Sequence, residues 1–153
     1  MPSAVQRTPT WSVHNVSSPP VRARASSPLL LLALGLTLAE AQLRLYNLRA
    51  SDLPSDLLGT SDGYVQVYSG STYLGKTAVR KNDPDPWWEE EFQHFKAKEG
   101  DELKLEVYDQ DLLFHDLVGV CQRQMKLGTH THDCYLKKGG VLTYTYTLDD
   151  INQ

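Results

Sequence analysis

The chain has 153 residues, 41% of them hydrophobic and 22% charged, with 15 Lys+Arg against 19 Asp+Glu and a formal net charge of −4. That length argues against two full-sized domains, and the composition suits one soluble globular domain. The acidic balance argues against a nucleic-acid partner, which calls for a basic footprint.

No acidic residue precedes Glu40; residues 1–28 are rich in Ser, Pro and Thr and carry Arg7, Arg22 and Arg24. The apolar run from Leu29 to Ala39 is too short for a membrane-spanning helix, which needs about 20 residues, but suits the hydrophobic region of a secretory signal peptide. A mitochondrial transit peptide is the rival reading; such peptides are amphipathic, whereas this run is apolar on all sides. Ala39-Glu40-Ala41 supplies a small-x-small cleavage pattern. The expected division is therefore a removed signal peptide over 1–41, a domain over 42–148 and a C-terminal tail over 149–153, in a secreted, extracellular protein. The sequon Asn15-Val16-Ser17 falls within the removed part, so the domain is expected to carry no N-glycan.

From Leu43 onward the pattern is that of strands and turns. Leu43 and Leu45 alternate with polar neighbours, Gly63 to Tyr68 alternates strongly, and Glu102 to Tyr108 reads as a half-buried strand. Shorter runs occupy Leu74 to Val79, Trp88 to Phe95, Leu117 to Cys121, Asp133 to Leu136 and Val141 to Thr147. Turn residues separate them: Ser69-Gly70, the segment Asn82 to Pro86, Glu99-Gly100-Asp101, Gly128 and Gly139-Gly140. No segment has helical periodicity. Eight short strands predict an all-β protein, an eight-stranded antiparallel β-sandwich.

Cys121 and Cys134, 13 positions apart, form an even pair that reads as one disulfide in an oxidising compartment. The rival is a metal site built on His130, His132 and Cys134; a cysteine held in a disulfide cannot ligate zinc.

The glutamates Glu89-Glu90-Glu91, Glu102 and Glu106 fall on expected strands, where outward faces account for them. The aspartates fall in connections: Asp52, Asp56 and Asp62 after the first strand, Asp83 and Asp85 after the third, Asp109, Asp111 and Asp116 after the fifth. Connections that follow odd-numbered strands of an antiparallel sandwich can emerge at one end. Two like charges about 4 Å apart repel by roughly 1 kcal/mol in water and about 4 at an effective dielectric of 20, so such a cluster calls for a cation. Hard carboxylate oxygens in adaptable loops favour calcium. Asp also caps turns throughout proteins, which accounts for single residues better than for the repeated placement.

The segments Leu53 to Val67 and Val107-Tyr108-Asp109-Gln110-Asp111 through Asp116-Leu117-Val118-Gly119 resemble the calcium-binding loops of C2 domains. The resemblance spans residues 42–148 and is closest to the C2 domain at the end of perforin, including a Gly-x-Cys after the third loop and a second Cys at the same spacing; no trace of a pore-forming domain accompanies it. It implies that Asp56, Asp62, Asp109, Asp111 and Asp116 ligate Ca2+, with Asp85 at a position where perforin-like members carry Asn and Asp83 as a further candidate. The third loop is one residue shorter than the family's usual length, which leaves the ion count open. The resemblance also implies C2 type II topology, with Val141 to Thr147 beside the first strand.

Leu57 and Leu58 flank the first loop's acids, and Leu112, Leu113 and Phe114 those of the third. Loops that fold back would bury them; at exposed tips they would insert into a bilayer once calcium neutralises the carboxylates. Half the transfer energy of five such side chains is about 4–7 kcal/mol, enough for reversible docking. Trp87-Trp88 reads as one core aromatic and one surface aromatic. Lys76, Arg80 and Lys81 stand opposite Glu89 to Glu91, so a phosphoinositide-binding lysine patch is not expected. The expected function is a secreted, calcium-dependent phospholipid-binding module, perforin-like and immune-associated, acting as a monomer on the outer leaflet. The alternative is a secreted protein-interaction domain with weak or degenerate calcium sites. No Gly-x-Ser-x-Gly, His-Glu-x-x-His or phosphate-binding glycine loop is present, and no enzymatic activity is expected.

Overall fold

The computed structural model describes residues 40–57, 59–111 and 114–151. The leader expected over 1–41 thus lies outside the described residues, apart from Glu40 and Ala41. So do Leu58, Leu112, Leu113 and the side chain of Asp56.

Among the described residues eleven strands follow one another: β1 (Glu40–Ser51), β2 (Ser55–Asp56), β3 (Gly59–Thr60), β4 (Gly63–Ser69), β5 (Thr72–Lys76), β6 (Trp87–Trp88), β7 (Phe92–Lys98), β8 (Glu102–Gln110), β9 (His115–Gln124), β10 (Gly128–Tyr135) and β11 (Val141–Asp150). Eight have five residues or more; β2, β3 and β6 have two each. One sheet runs β10-β11-β1, with β6 and β7 both pairing the far side of β1, and the other runs β5-β4-β8-β9. Because β6 and β7 share one edge position, the result is the expected sandwich of two four-stranded antiparallel layers. The last strand lies between β10 and β1, the place that type II topology assigns to it.

The inner faces are built by alternation. Leu43 and Leu45 of β1, Val65 and Val67 of β4, Leu103, Leu105 and Val107 of β8, and Leu142, Tyr144, Tyr146 and Leu148 of β11 are all buried, as period-two side chains on a half-covered sheet must be. Trp88 is buried with them, while its neighbour Trp87 is 55% exposed. In β1 the inward set changes parity, from Leu43 and Leu45 to Leu48 and Ala50. A register shift between Tyr46 and Arg49 and a positive φ of 54° at Asn47 mark a β-bulge, whose one extra residue turns the rest of the strand over. Arg49 consequently lies on the outer face.

Four boundaries depart from the alternation pattern. β5 ends at Lys76; Thr77 is buried, and its hydroxyl accepts the Val65 N–H (2.9 Å). Glu89 to Glu91 are not strand residues but the break between β6 and β7. There Glu90 accepts the Ala78 N–H (3.1 Å) and Glu91 receives two hydrogen bonds from Arg44. Gly128 opens β10 instead of ending a turn, and β11 continues to Asp150, so the domain's last strand extends into the tail expected from residue 149. Cys121 of β9 and Cys134 of β10 form a disulfide with Cα atoms 6.0 Å apart, which links the edge strands of the two sheets. Among the described residues no helix is long and apolar enough to cross a membrane.

Candidate functional site

Three connections meet at one end of the sandwich: 52–62 between β1 and β4, 77–86 between β5 and β6, and 111–114 between β8 and β9. Their union is visible in hydrogen bonds. The Asp62 N–H donates to Asp109 Oδ1 (2.7 Å), and the Gln110 N–H returns a bond to the Asp62 carbonyl (2.8 Å), which joins the first connection to the third. The Asn82 N–H donates to Asp62 Oδ1 (2.7 Å), and the Asp52 N–H donates to Asp85 Oδ1 (2.9 Å), which joins the first to the second. The Asp85 N–H in turn donates to Asp83 Oδ1 (2.9 Å), an Asx-type turn that shapes the second connection.

Asp109 is the anchor of this end. It is 9% exposed, a depth at which a carboxylate needs partners. Besides the Asp62 N–H, the hydroxyl of fully buried Ser61 lies 3.4 Å from its Oδ2 while also hydrogen bonding to the Pro54 carbonyl. Asp116 is the cross-strand partner of Asp109 and is exposed. Both line a cavity of about 320 Å³ with Pro54, Ser55, Val118 and Lys138. The Asp111 N–H donates to the Phe114 carbonyl (2.7 Å).

Of the expected ligands, then, the structure gathers Asp62, Asp109, Asp111, Asp116 and Asp85 at one end. It places the backbone of Asp56 in the β2-β3 hairpin of the same end. Among the described residues no three His, Cys, Asp or Glu side chains already stand together as a metal-holding group. The chemistry of the donors nevertheless fits a hard cation. They are carboxylates, and each of Asp62, Asp85 and Asp109 has one oxygen fixed by a backbone N–H. Among the described residues no basic side chain stands within ion-pair distance of Asp62, Asp85, Asp109 or Asp116; the Arg44–Glu91 pair lies elsewhere. A divalent ion with oxygen ligands answers both the charge and the donor type.

Of the expected membrane residues, Leu57 is fully exposed and Phe114 is 66% exposed. Neither loop folds back over these two side chains. Leu58, Leu112 and Leu113 lie outside the described residues.

A fourth connection, residues 136–140 between β10 and β11, occupies the same end. Nothing in the sequence marks it out, since Gly139-Gly140 serves there only as punctuation. It is seated by contacts that need glycine. A Cβ on Gly140, whose φ is +88°, would lie 2.8 Å from the Ser51 carbonyl oxygen, and one on Gly119 would lie 2.9 Å from both Leu136 Cβ and the Lys137 nitrogen. The Lys138 N–H donates to the Val118 carbonyl (2.9 Å), which sets that residue on the wall of the Asp109 and Asp116 cavity.

An antiparallel sandwich whose connections gather acids and exposed apolar residues at one end defines a class of protein: a β-sandwich with an acidic, apolar-tipped loop end. Residues 41–141 match the family model of the C2 domain, and the chain belongs to the C2 domain family. It is 30% identical over 104 residues to Perforin-1 of Rattus norvegicus and 32% identical over 102 residues to Perforin-1 of Homo sapiens, covering 66% and 65% of this chain. It spans only about a fifth of those relatives' length, 19% and 18%. A solved structure described as a C2 domain is 64% identical, with a TM-score of 0.70 over 71% of this chain and 98% of its own. The calcium-bound tandem C2 domains of Extended-Synaptotagmin 2, at 23% identity, share the fold with a TM-score of 0.64, over 72% of this chain and 46% of theirs.

Proposed function

We propose that this chain is a secreted, calcium-dependent phospholipid-binding module that docks as a monomer on the outer leaflet of a cell membrane, in a perforin-like immune setting, and that it acts by binding, not by catalysis. The observation that carries the reading is the placement of Asp109, Asp62 and Asp116 at the end of the sandwich where Leu57 and Phe114 stand exposed. Asp56, Asp62, Asp85, Asp109, Asp111 and Asp116 would hold calcium, and the ion would supply the positive charge that brings lipid phosphate to an otherwise repulsive surface. The apolar side chains then leave water for the acyl boundary. The disulfide supports an oxidising compartment, where modules of this kind work with calcium dissociation constants of about 0.1–1 mM.

Vesicle co-sedimentation with and without chelator tests the reading. Wild-type chain pellets with phosphatidylcholine/phosphatidylserine vesicles in calcium and stays in solution with chelator. The double variant Asp109→Asn/Asp111→Asn stays in solution in both. Pelleting that ignores the chelator would sink the mechanism and turn attention to the protein-interaction alternative.

A further inference from the structure

The outer face of the β10-β11-β1-β6 sheet carries a second concavity, of about 420 Å³, lined by residues that include Arg49, Asp133, Tyr135, Val141 and Thr143. Asp133, Thr143 and Arg49 belong to a cross-strand row that runs on to Trp87 beside it. Asp133 is registered with Thr143, Thr143 with Arg49, and Arg49 with Trp87, so carboxylate, hydroxyl, guanidinium and indole follow one another across four strands. Tyr135, two residues beyond Asp133 on the same face, is 82% exposed at the rim. The bulge at Asn47 creates this row, since without its parity change Arg49 would point into the core.

The two charges of the row do not satisfy each other. Thr143 donates to Asp133 Oδ1 (2.8 Å), but Arg49 and Asp133 lie beyond ion-pair distance. Two strand spacings, roughly 10 Å of backbone, separate the cation from the anion. A ligand that bridges them needs an anionic group for Arg49 and a cationic group for Asp133. The exposed aromatic beside Asp133 selects a cation that tolerates an apolar surround, and a quaternary ammonium does. A planar guanidinium is likewise suited to a phosphate. Below the concavity the strands run on into the 52–62 and 136–140 connections, so a protein docked by its loops brings this face level with lipid headgroups.

We propose that this concavity is a phosphocholine site, with Arg49 on the phosphate, Asp133 and Tyr135 around the trimethylammonium, and the headgroups of choline phospholipids as its source. It deepens the membrane reading by naming a headgroup class, but it stands on the sheet face beside the aspartate loops, uses none of their carboxylates and does not require calcium.

Calorimetric or NMR titration of the full chain with free phosphocholine in chelator tests it directly. Saturable binding is expected, weakened at least tenfold in Arg49→Gln and in Asp133→Asn, and weakened in Tyr135→Ala but retained in Tyr135→Phe. Near-ultraviolet circular dichroism of each variant shows whether the fold is intact. Inorganic phosphate and choline alone should each bind at least tenfold more weakly than phosphocholine; phosphate binding equally well would overturn the zwitterion assignment in favour of a simple anion site. Absence of phosphocholine binding in both chelator and calcium would overturn the site altogether. To separate the source of the headgroup, calcium-driven pelleting of wild type and Arg49→Gln is compared on phosphatidylcholine and phosphatidylglycerol vesicles. Selective loss on phosphatidylcholine is expected, and equal loss on both overturns the lipid assignment. Phosphocholine binding that survives in Asp109→Asn/Asp111→Asn, even where vesicle pelleting never depends on calcium, keeps this site standing when the loop mechanism falls.

Discussion

At the scale of single residues, the gathering of acids at one end was legible from their recurrence in successive connections, whereas the groups that hold them in place were not. Ser61 is an unremarkable loop serine in sequence, yet it is fully buried and bridges Pro54 to the Asp109 carboxylate. Its hydroxyl joins the first connection to the third without being a ligand itself. Ser61→Ala is expected to cost about 1 kcal/mol of organisation, roughly fivefold in calcium affinity, read by calorimetry. Unchanged affinity would remove Ser61 from the site. A second residue acts on stability. His132 sits in the seam between the sheets against Tyr144 and Tyr146 and stacked on His130. Burial first, then the positive charges of Arg123 and His130, hold its imidazole below the ordinary value, against an opposing pull from Asp133. The unfolded chain therefore binds the proton more readily. Stability is full above the ordinary pKa near 6.5 and is lost as pH falls through the lowered one. Thermal melts between about pH 7.5 and 5 should show this decline, and His132→Asn should flatten it.

At the scale of elements, alternation revealed the eight longer strands because each is covered on one face only, so its period survives in the sequence. The failures share a cause: local and long-range contacts that no hydropathy pattern records. Glu90 and Glu91 are tied to Ala78 and Arg44 instead of continuing a strand. Asn47 adopts a positive φ that only a local bulge requires. The seat of the β10-β11 connection rests on the close approach of Gly119 to Leu136, a contact between residues far apart in sequence. The disulfide is the element-level feature with the largest expected effect. It ties β9 to β10 where the two sheets share no hydrogen-bonded strand. Closing a loop of this size contributes about 3 kcal/mol in the chain-entropy model. Cys121→Ser/Cys134→Ser should lower the denaturant-unfolding free energy by about 2–4 kcal/mol while leaving vesicle binding in place at low temperature. A double variant as stable as wild type would show that the strand edges are held by packing alone.

At the scale of the molecule, the fold gathers acids of a net-negative chain at the one end that is proposed to meet an anionic surface. The repulsion is opposed by the sandwich's own stability, and an ion that relieves it must stabilise the native state by mass action. With calcium at ten times its dissociation constant, the gain is about 1.4 kcal/mol, a rise in melting temperature of roughly 4–8 °C for a domain of this size. Magnesium, smaller and stricter in geometry, should give less at equal concentration. Asp109→Asn/Asp111→Asn separates charge from architecture. Asparagine keeps an acceptor oxygen for the Asp62 N–H but removes two negative charges, so the variant in chelator should melt at or above the wild-type temperature and should not respond to calcium. If the variant instead melts well below wild type in chelator, the carboxylates are part of the scaffold itself; a retained calcium shift would mean that the ion sits elsewhere.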